Sequence, residues 1–133
     1  MASARSGFER TLMLKLDSEG VEWDYENETF PIIVPAGTIN CPNCGKVKGA
    51  KSSRYTPDFF FPNWIIEAKG KFTAKDRKRF LALWEQHGDN FQFGLLFMRD
   101  NKISKSSKTR YSDWCEKNGI PYAFGWFKKE WLR

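Results

Sequence analysis

Two apolar, aromatic-rich runs, Asp58-Phe59-Phe60-Phe61 and Trp64-Ile65-Ile66-Glu67-Ala68-Lys69, stand on either side of Pro62-Asn63. Proline and asparagine are turn formers, so the pattern predicts a β-hairpin, with Phe59–Phe61 on one strand and Ile65–Ala68 on the other. Side chains alternate along a strand, which puts Ile65, Glu67 and Lys69 on one face and Trp64, Ile66 and Ala68 on the other. If Phe61 pairs with Trp64 across the turn, Asp58 falls opposite Glu67, with Cβ atoms roughly 5 Å apart. Two carboxylates so placed repel each other unless a cation lies between them, and Mg2+ with hard oxygen ligands fits that place. Lys69, one strand period beyond Glu67, can then neutralise a bound anion or orient a water for attack. Proline suits the first central position of type I or II turns better than the mirror-image turns of tight hairpins, so turn chemistry alone does not set the register. A slip of one residue would send Asp58 to the other face.

Pro57-Asp58 followed by Glu67-Ala68-Lys69 has the form of the PD-(D/E)XK nuclease signature. A solvated hairpin face with a Glu/Lys pair is the plainer reading of the same residues. Charge favours the former. Lys and Arg number 22 against 16 Asp and Glu, a net charge of +6, which suits a polyanionic partner such as nucleic acid. The 133 residues, 41% hydrophobic and 17% aromatic, are enough for one folded domain with a real core. No apolar run reaches the length of a membrane span and the first residues lack a signal-peptide core, so a cytoplasmic protein is expected. The one histidine, His87, precedes Gly88; there it reads as a helix C-terminal cap ahead of a catalytic group, and a Ser-His-Asp or multi-histidine metal mechanism would have to run through this one residue.

Along the chain, a helix is predicted from about Gly7 to Glu19, with Phe8, Leu12 and Leu16 on one face and Gly20 as its stop. Ser6 and Glu9 form a capping box at its start, which by itself accounts for Glu9. Val21, Trp23 and Tyr25 alternate with Glu22, Asp24 and Glu26 as in a half-buried strand. Phe30–Pro35 predicts a second strand whose prolines suit a sheet edge. After the hairpin, Thr73 is an N-cap with Asp76 three residues on, opening a helix to about Gln86. Lys71, Lys75, Arg77, Lys78 and Arg79 crowd the approach and first half of this helix, either as a solvated face or as a grip on a phosphate backbone. Phe91–Met98 is apolar enough for a central strand covered on both faces. Lys102, Lys105, Lys108 and Arg110 follow among serines in a loop, suited to sequence-independent contact with DNA phosphates or simply exposed. A short helix from Ser112 to Asn118 ends at Gly119, an extended segment begins at Ile120, and Trp114, Trp126 and Trp131 read as packing.

Residues 36–54 change composition to Gly, Ser, Lys and Asn around Cys41-Pro42-Asn43-Cys44-Gly45, the expected inserted loop. Cys41 and Cys44 are spaced as half of a structural zinc site. Within the chain only Cys115 and His87 could add to them, whereas two copies of the pair across a dimer axis would supply four thiolates. Free thiols or a redox pair are the other readings.

Arg5-Ser6-Gly7-Phe8-Glu9, Tyr55-Thr56-Pro57-Asp58-Phe59, Glu67-Ala68-Lys69-Gly70, Asp76-Arg77-Lys78, Trp84-Glu85-Gln86-His87 and Cys115-Glu116-Lys117-Asn118-Gly119-Ile120 occur in that order. Together they resemble the phage T-seven endonuclease I family, which are Holliday-junction resolvases. The likeness runs from Arg5 to Leu132 and lapses over Ala36–Arg54. It implies an α/β, restriction-endonuclease-like mixed β-sheet flanked by helices, in an intertwined homodimer whose swapped segment maps near Phe30–Tyr55. It also implies a catalytic set of Glu9, Asp58, Glu67 and Lys69, with Glu9 serving the partner subunit's hairpin. Asp58, Glu67 and the Ala68 carbonyl would hold one Mg2+, for which Mn2+ substitutes, and Glu9 and Asp58 would help a second. The implied activity is hydrolysis of phosphodiesters at four-way junctions and other branched DNA. The turn after Asp58 is one residue shorter than in the phage relative, and the cysteine loop replaces a short bridge. A sequence-specific homing or restriction-type nuclease, and a non-catalytic, zinc-organised nucleic-acid-binding protein, are the alternatives.

Overall fold

The computed structural model of the chain describes residues 7–34 and 51–132. In chain order these form α1 (Gly7–Ser18), β1 (Asp24–Tyr25), β2 (Phe30–Val34), β3 (Lys51–Tyr55), β4 (Phe59–Phe60), β5 (Ile65–Lys69), α2 (Ala74–His87), β6 (Phe93–Phe97), α3 (Tyr111–Asn118), β7 (Tyr122–Phe124) and a 3-10 turn (Lys129–Leu132). The helix ends have local causes. Gly20 and Gly119 take φ of 67° and 69°, the left-handed backbone that ends a helix at least cost when the residue is glycine. Thr73 caps α2, accepting from the Asp76 amide while the Asp76 side chain accepts from the Thr73 amide, the reciprocal box that the sequence predicts.

Five strands make one mixed sheet in the order β1-β4-β5-β6-β7. The β4–β5 hairpin pairs Phe59 with Ile66 and Phe60 with Ile65, and the Phe61 amide donates to the Trp64 carbonyl at 2.8 Å. This is the pairing in which Asp58 comes across from Glu67. β6 lies parallel to β5, and β7 parallel to β6, so the C-terminal ends of three strands open on one sheet edge.

Helices cover both faces. Leu12 and Leu16 of α1, with Trp131, pack on Phe59, Ile66, Ala68 and Leu96. Phe80 and Leu83 of α2 and Cys115 of α3 pack on Phe60, Ile65, Leu95 and Phe97. β6 is buried along its length, as its unbroken apolar run predicts. Gly94 within it leaves room for the Trp131 ring; a Cβ there would come within 2.9 Å of that ring and 3.0 Å of the Ile66 methyl.

Two expectations change. Of the alternating segment at residues 21–26 only Asp24–Tyr25 pairs as a strand, and Glu26 turns out of it at φ 49°. The loop expected over residues 36–54 ends early, because Lys51–Tyr55 is a strand paired antiparallel with Phe30–Val34. Lys51, Ser52 and Arg54 are exposed, so β3 is held by backbone pairing and carries no hydrophobic alternation for the sequence to show. The β2–β3 ladder stands apart from the main sheet. It is fastened to α2, where the Gln86 amide donates to the Ile33 carbonyl at 2.8 Å and accepts from the Ile33 amide at 2.9 Å.

Candidate active site

The hairpin buries two carboxylates against each other. Asp58 is 4% and Glu67 5% exposed. The Asp58 amide donates to Glu67 Oε1 at 3.2 Å, and the Ala68 amide donates to Asp58 Oδ2 at 3.0 Å. Burial pushes the Asp58 carboxyl well above its ordinary range, and the Glu67 charge adds to this; the Ala68 amide and Lys69 pull the other way. The Tyr55 phenol donates to Glu67 Oε2. Its own titration is driven well up, first by burial and then by the Glu67 charge, so it remains a donor. Behind the pair, the Glu26 amide donates to the Asp58 carbonyl at 2.9 Å. Glu26, at φ 49°, is the one non-glycine with positive φ among the described residues, a strained backbone of the sort that collects at sites.

Lys69 closes the mouth. Its Nζ lies 3.7 Å from Glu67 Oε2 and 3.6 Å from Asp76 Oδ1. A cleft of about 370 Å³ opens over it, lined by Arg54, Thr56, Glu67, Lys69, Lys75 and Asp76 among others. A buried like-charge pair in which burial favours a bound proton is a donor set short of one cation. Asp58 and Glu67 could therefore hold a hard divalent ion that keeps part of its water shell.

Glu9 comes from another element. It is buried on α1 and accepts from the Tyr25 phenol at 2.6 Å. Tyr25 is pushed far up, first by burial and then by Glu9, with the Asp58 charge adding to the shift. Among the described residues no three His, Cys, Asp or Glu side chains gather as a metal-holding group, while Asp58 and Glu67 face each other across the hairpin. Ser6, the expected cap partner of Glu9, lies outside the described residues, as do Cys41 and Cys44. Of the candidates to complete a zinc site with those cysteines, Cys115 is fully buried in the α2-side core and His87 Nε2 is 2.6 Å from the Pro31 carbonyl.

The basic residues divide. Lys71, Lys102, Lys105 and Arg110 line a second cleft of about 720 Å³, between the exit of β5 and the loop after β6. Lys75, Lys78 and Lys108 are exposed. Arg77 and Arg79 are not the free cations that the sequence suggests. Arg77 turns back to the Phe72 carbonyl at 2.7 Å. Arg79 bonds Ser53 Oγ at 2.7 Å and the Arg54 carbonyl at 2.6 Å, with its guanidinium 5.4 Å from the centre of the Tyr55 ring. Both point inward because α2 packs on β3 and on the β5–α2 connection, whose carbonyls need donors.

Four residues at the site escape a reading from hairpin geometry alone: Tyr25, Tyr55, Arg54 and the second oxygen of Asp76. Tyr55 carried a signal, three residues before Asp58 in the Tyr-Thr-Pro-Asp run.

A mixed sheet with two facing carboxylates and a lysine at the open end of a hairpin is the layout of the PD-(D/E)XK nuclease class. The phage endonuclease I family model matches residues 1–133. The chain is 34% identical over 131 residues to Endonuclease I of Escherichia phage T7, covering 97% of this chain and 78% of that protein. It is 37% identical over 121 residues to Endodeoxyribonuclease 1 of Enterobacteria phage T3, covering 90% and 70%. This chain belongs to the phage endonuclease I family.

Proposed function

We propose that this protein is a homodimeric, Mg2+-dependent DNA endonuclease that resolves four-way junctions and other branched DNA, hydrolysing one phosphodiester in each of two opposed strands. Family membership makes it a nuclease, and the names of the T7 and T3 relatives supply endonucleolytic attack and DNA. The observation that carries the reading is the buried Asp58–Glu67 pair with Lys69 at its mouth.

Asp58, Glu67 and the Ala68 carbonyl would hold Mg2+, or Mn2+ with the same donors, and the ion when bound polarises the phosphodiester and lowers the pKa of water. Lys69 orients the attacking water and faces the charge that develops on the phosphoryl oxygens. Tyr55 fixes the rotation of the Glu67 carboxylate through one oxygen. Glu9 would serve the site of the paired subunit, as the family resemblance implies. The segment near Phe30–Tyr55 is the one exchanged. Its ladder lies outside the main sheet, so it can be traded without breaking that sheet's hydrogen bonds. A two-fold dimer presents two equal sites to two equivalent strands.

Lys71 follows Lys69 by two residues and opens the larger basic cleft. A strand with its scissile phosphate at Lys69 can therefore run on past Lys71, Lys102, Lys105 and Arg110, with Lys75, Lys78 and Lys108 adding salt-sensitive contacts. The place of action is the cytoplasm of a phage-infected bacterium. Among the described residues no helix is long and apolar enough to cross a membrane.

The test compares a labelled four-way junction with a linear duplex of the same arms, in Mg2+ and in EDTA, with Asp58→Asn alongside. Paired nicks near the branch, present with metal and absent in the variant, are expected. Cutting confined to particular duplex sequences would replace the resolvase reading with a sequence-specific nuclease, and binding without cutting under any metal would remove the enzymatic one.

A further inference from the structure

We infer that Asp76 is the positioning residue for Lys69, an inference that rests on the reading of Lys69 as the group beside the attacking water. Asp76 occupies the third position of α2, where its Oδ2 accepts from the Thr73 amide at 3.2 Å and its amide donates to Thr73 Oγ1 at 3.2 Å. Capping accounts for that oxygen and for no other. The second oxygen, Oδ1, reaches across the cleft to Lys69 Nζ at 3.6 Å. Lys69 and Asp76 side chains are 26% and 27% exposed, and an ion pair that open adds little to stability. Its consequence is directional.

A lysine is a point charge on a flexible stem of four carbons. With Glu67 as its one acidic neighbour, the ammonium would rest on Glu67 Oε2, an oxygen that the divalent cation needs. Asp76 supplies a second anchor on the opposite wall of the cleft. When the cation neutralises Glu67, Lys69 keeps a place over the cleft. The anchor itself is fixed: the capping box holds the start of α2, and the Arg77 guanidinium ties the Phe72 carbonyl at 2.7 Å, one residue before the cap. Residues that hold a metal-site group from behind typically change affinity or activity by about 10- to 100-fold when altered.

The experiment measures single-turnover cleavage of a four-way junction by the full chain carrying Asp76→Asn, Asp76→Glu, Thr73→Ala, Lys69→Ala, or Asp76→Asn with Lys69→Ala. Asparagine keeps an acceptor for the Thr73 amide and drops the charge toward Lys69. Asp76→Asn should slow the cleavage step by about 10- to 100-fold, with junction affinity in EDTA and melting temperature unchanged. Asp76→Glu should recover part of the rate. The double variant should be no slower than Lys69→Ala alone, because the aspartate acts through the lysine. Calorimetry on DNA-free protein should show weaker Mg2+ binding in Asp76→Asn, since Lys69 then competes at Glu67. Thr73→Ala should melt earlier yet lose far less cleavage than Asp76→Asn, because the residue-73 amide still holds Asp76 Oδ2 and Oδ1 still faces Lys69.

Wild-type cleavage by Asp76→Asn overturns the inference while the nuclease reading stands. So does an equal loss in Thr73→Ala, which would make Asp76 a cap and nothing more, and so do losses that multiply in the double variant. A Lys69→Ala protein that cuts normally overturns the reading of Lys69 and this inference with it.

Discussion

β5 has two faces, and adjacent residues put them to opposite uses. Ile66 and Ala68 turn toward α1 and meet Leu12, Leu16, Leu96 and Trp131, a wholly apolar contact. Ile65, Glu67 and Lys69 turn toward α2. There the apolar packing stops after Ile65, and two buried carboxylates and a phenol take over. One face is built for burial. The other accepts unfavourable burial of like charge, which is sustainable because the first face and the all-apolar β6 hold the strand in place. Stability and chemistry should therefore separate by residue parity along a single strand.

The largest expected effect is on the chemistry face. Asp58→Asn keeps an acceptor for the Ala68 amide and removes the charge opposite Glu67. Junction cleavage should fall by on the order of 10²- to 10³-fold or more, while the metal-free protein melts a few degrees higher. A variant that loses both activity and stability would break the comparison, and melting curves in EDTA beside cleavage assays distinguish the outcomes.

The apolar face should respond in the opposite way. Gly94→Ala places a Cβ 2.9 Å from the Trp131 ring and 3.0 Å from the Ile66 methyl, and overpacking of this kind costs about 1–3 kcal/mol. Urea denaturation should show that loss, with the cleavage rate per folded molecule unchanged.

A pH series sharpens the contrast. Asp58 is held above its ordinary pKa in the folded chain, chiefly by burial and then by Glu67. The folded state therefore keeps a proton that the unfolded state gives up. That stabilisation is complete below pH of about 4, the ordinary aspartate value, and drains away as the pH climbs through the raised one. In EDTA, wild type should lose stability relative to Asp58→Asn between pH 5 and pH 8. Mg2+ should restore wild type at the higher pH and leave the variant unmoved, because binding to the folded state alone stabilises it. A constant difference across that range would show that Asp58 does not hold the extra proton that its burial favours.

How much of this was legible follows from which residues obey local rules. The hairpin, the Thr73 cap and the apolar run of β6 come from alternation, turn and capping residues within a dozen positions. The hairpin register, and with it the Asp58–Glu67 pairing, is left open by the Pro62-Asn63 turn and is given by the Phe59–Ile66 pairing. What escaped depends on distant segments. β3 carries exposed Lys, Ser and Arg, and its strand character comes from pairing with β2, about twenty residues earlier. Arg77 and Arg79 look like surface cations because their carbonyl and hydroxyl partners lie on other elements. The placement of Glu9 beside Tyr25 depends on how α1 docks on the sheet. The second oxygen of Asp76 meets Lys69 only because the β5–α2 connection folds back over the hairpin end.

The smallest effect tests whether the α2-side face is chemical throughout or only at its open end. Cys115 lies on that side, fully buried among the core residues of α2 and α3. Burial pushes its thiol up to about 12, with Asp100 and Glu116 adding to the shift. At neutral pH it is therefore a neutral, apolar core residue, and the thiolate that reacts with alkylating reagents is scarce. In a Cys41→Ser, Cys44→Ser protein, which leaves this thiol alone, labelling in native buffer should follow the rate of global unfolding and accelerate with denaturant to the rate of a free thiol. Quick labelling under native conditions, without loss of structure, would show that the opening at Lys69 extends inward past Phe97 and that the site is larger than the cleft over the hairpin. Slow labelling would confine the polar chemistry to the strand ends, with apolar packing holding everything behind them.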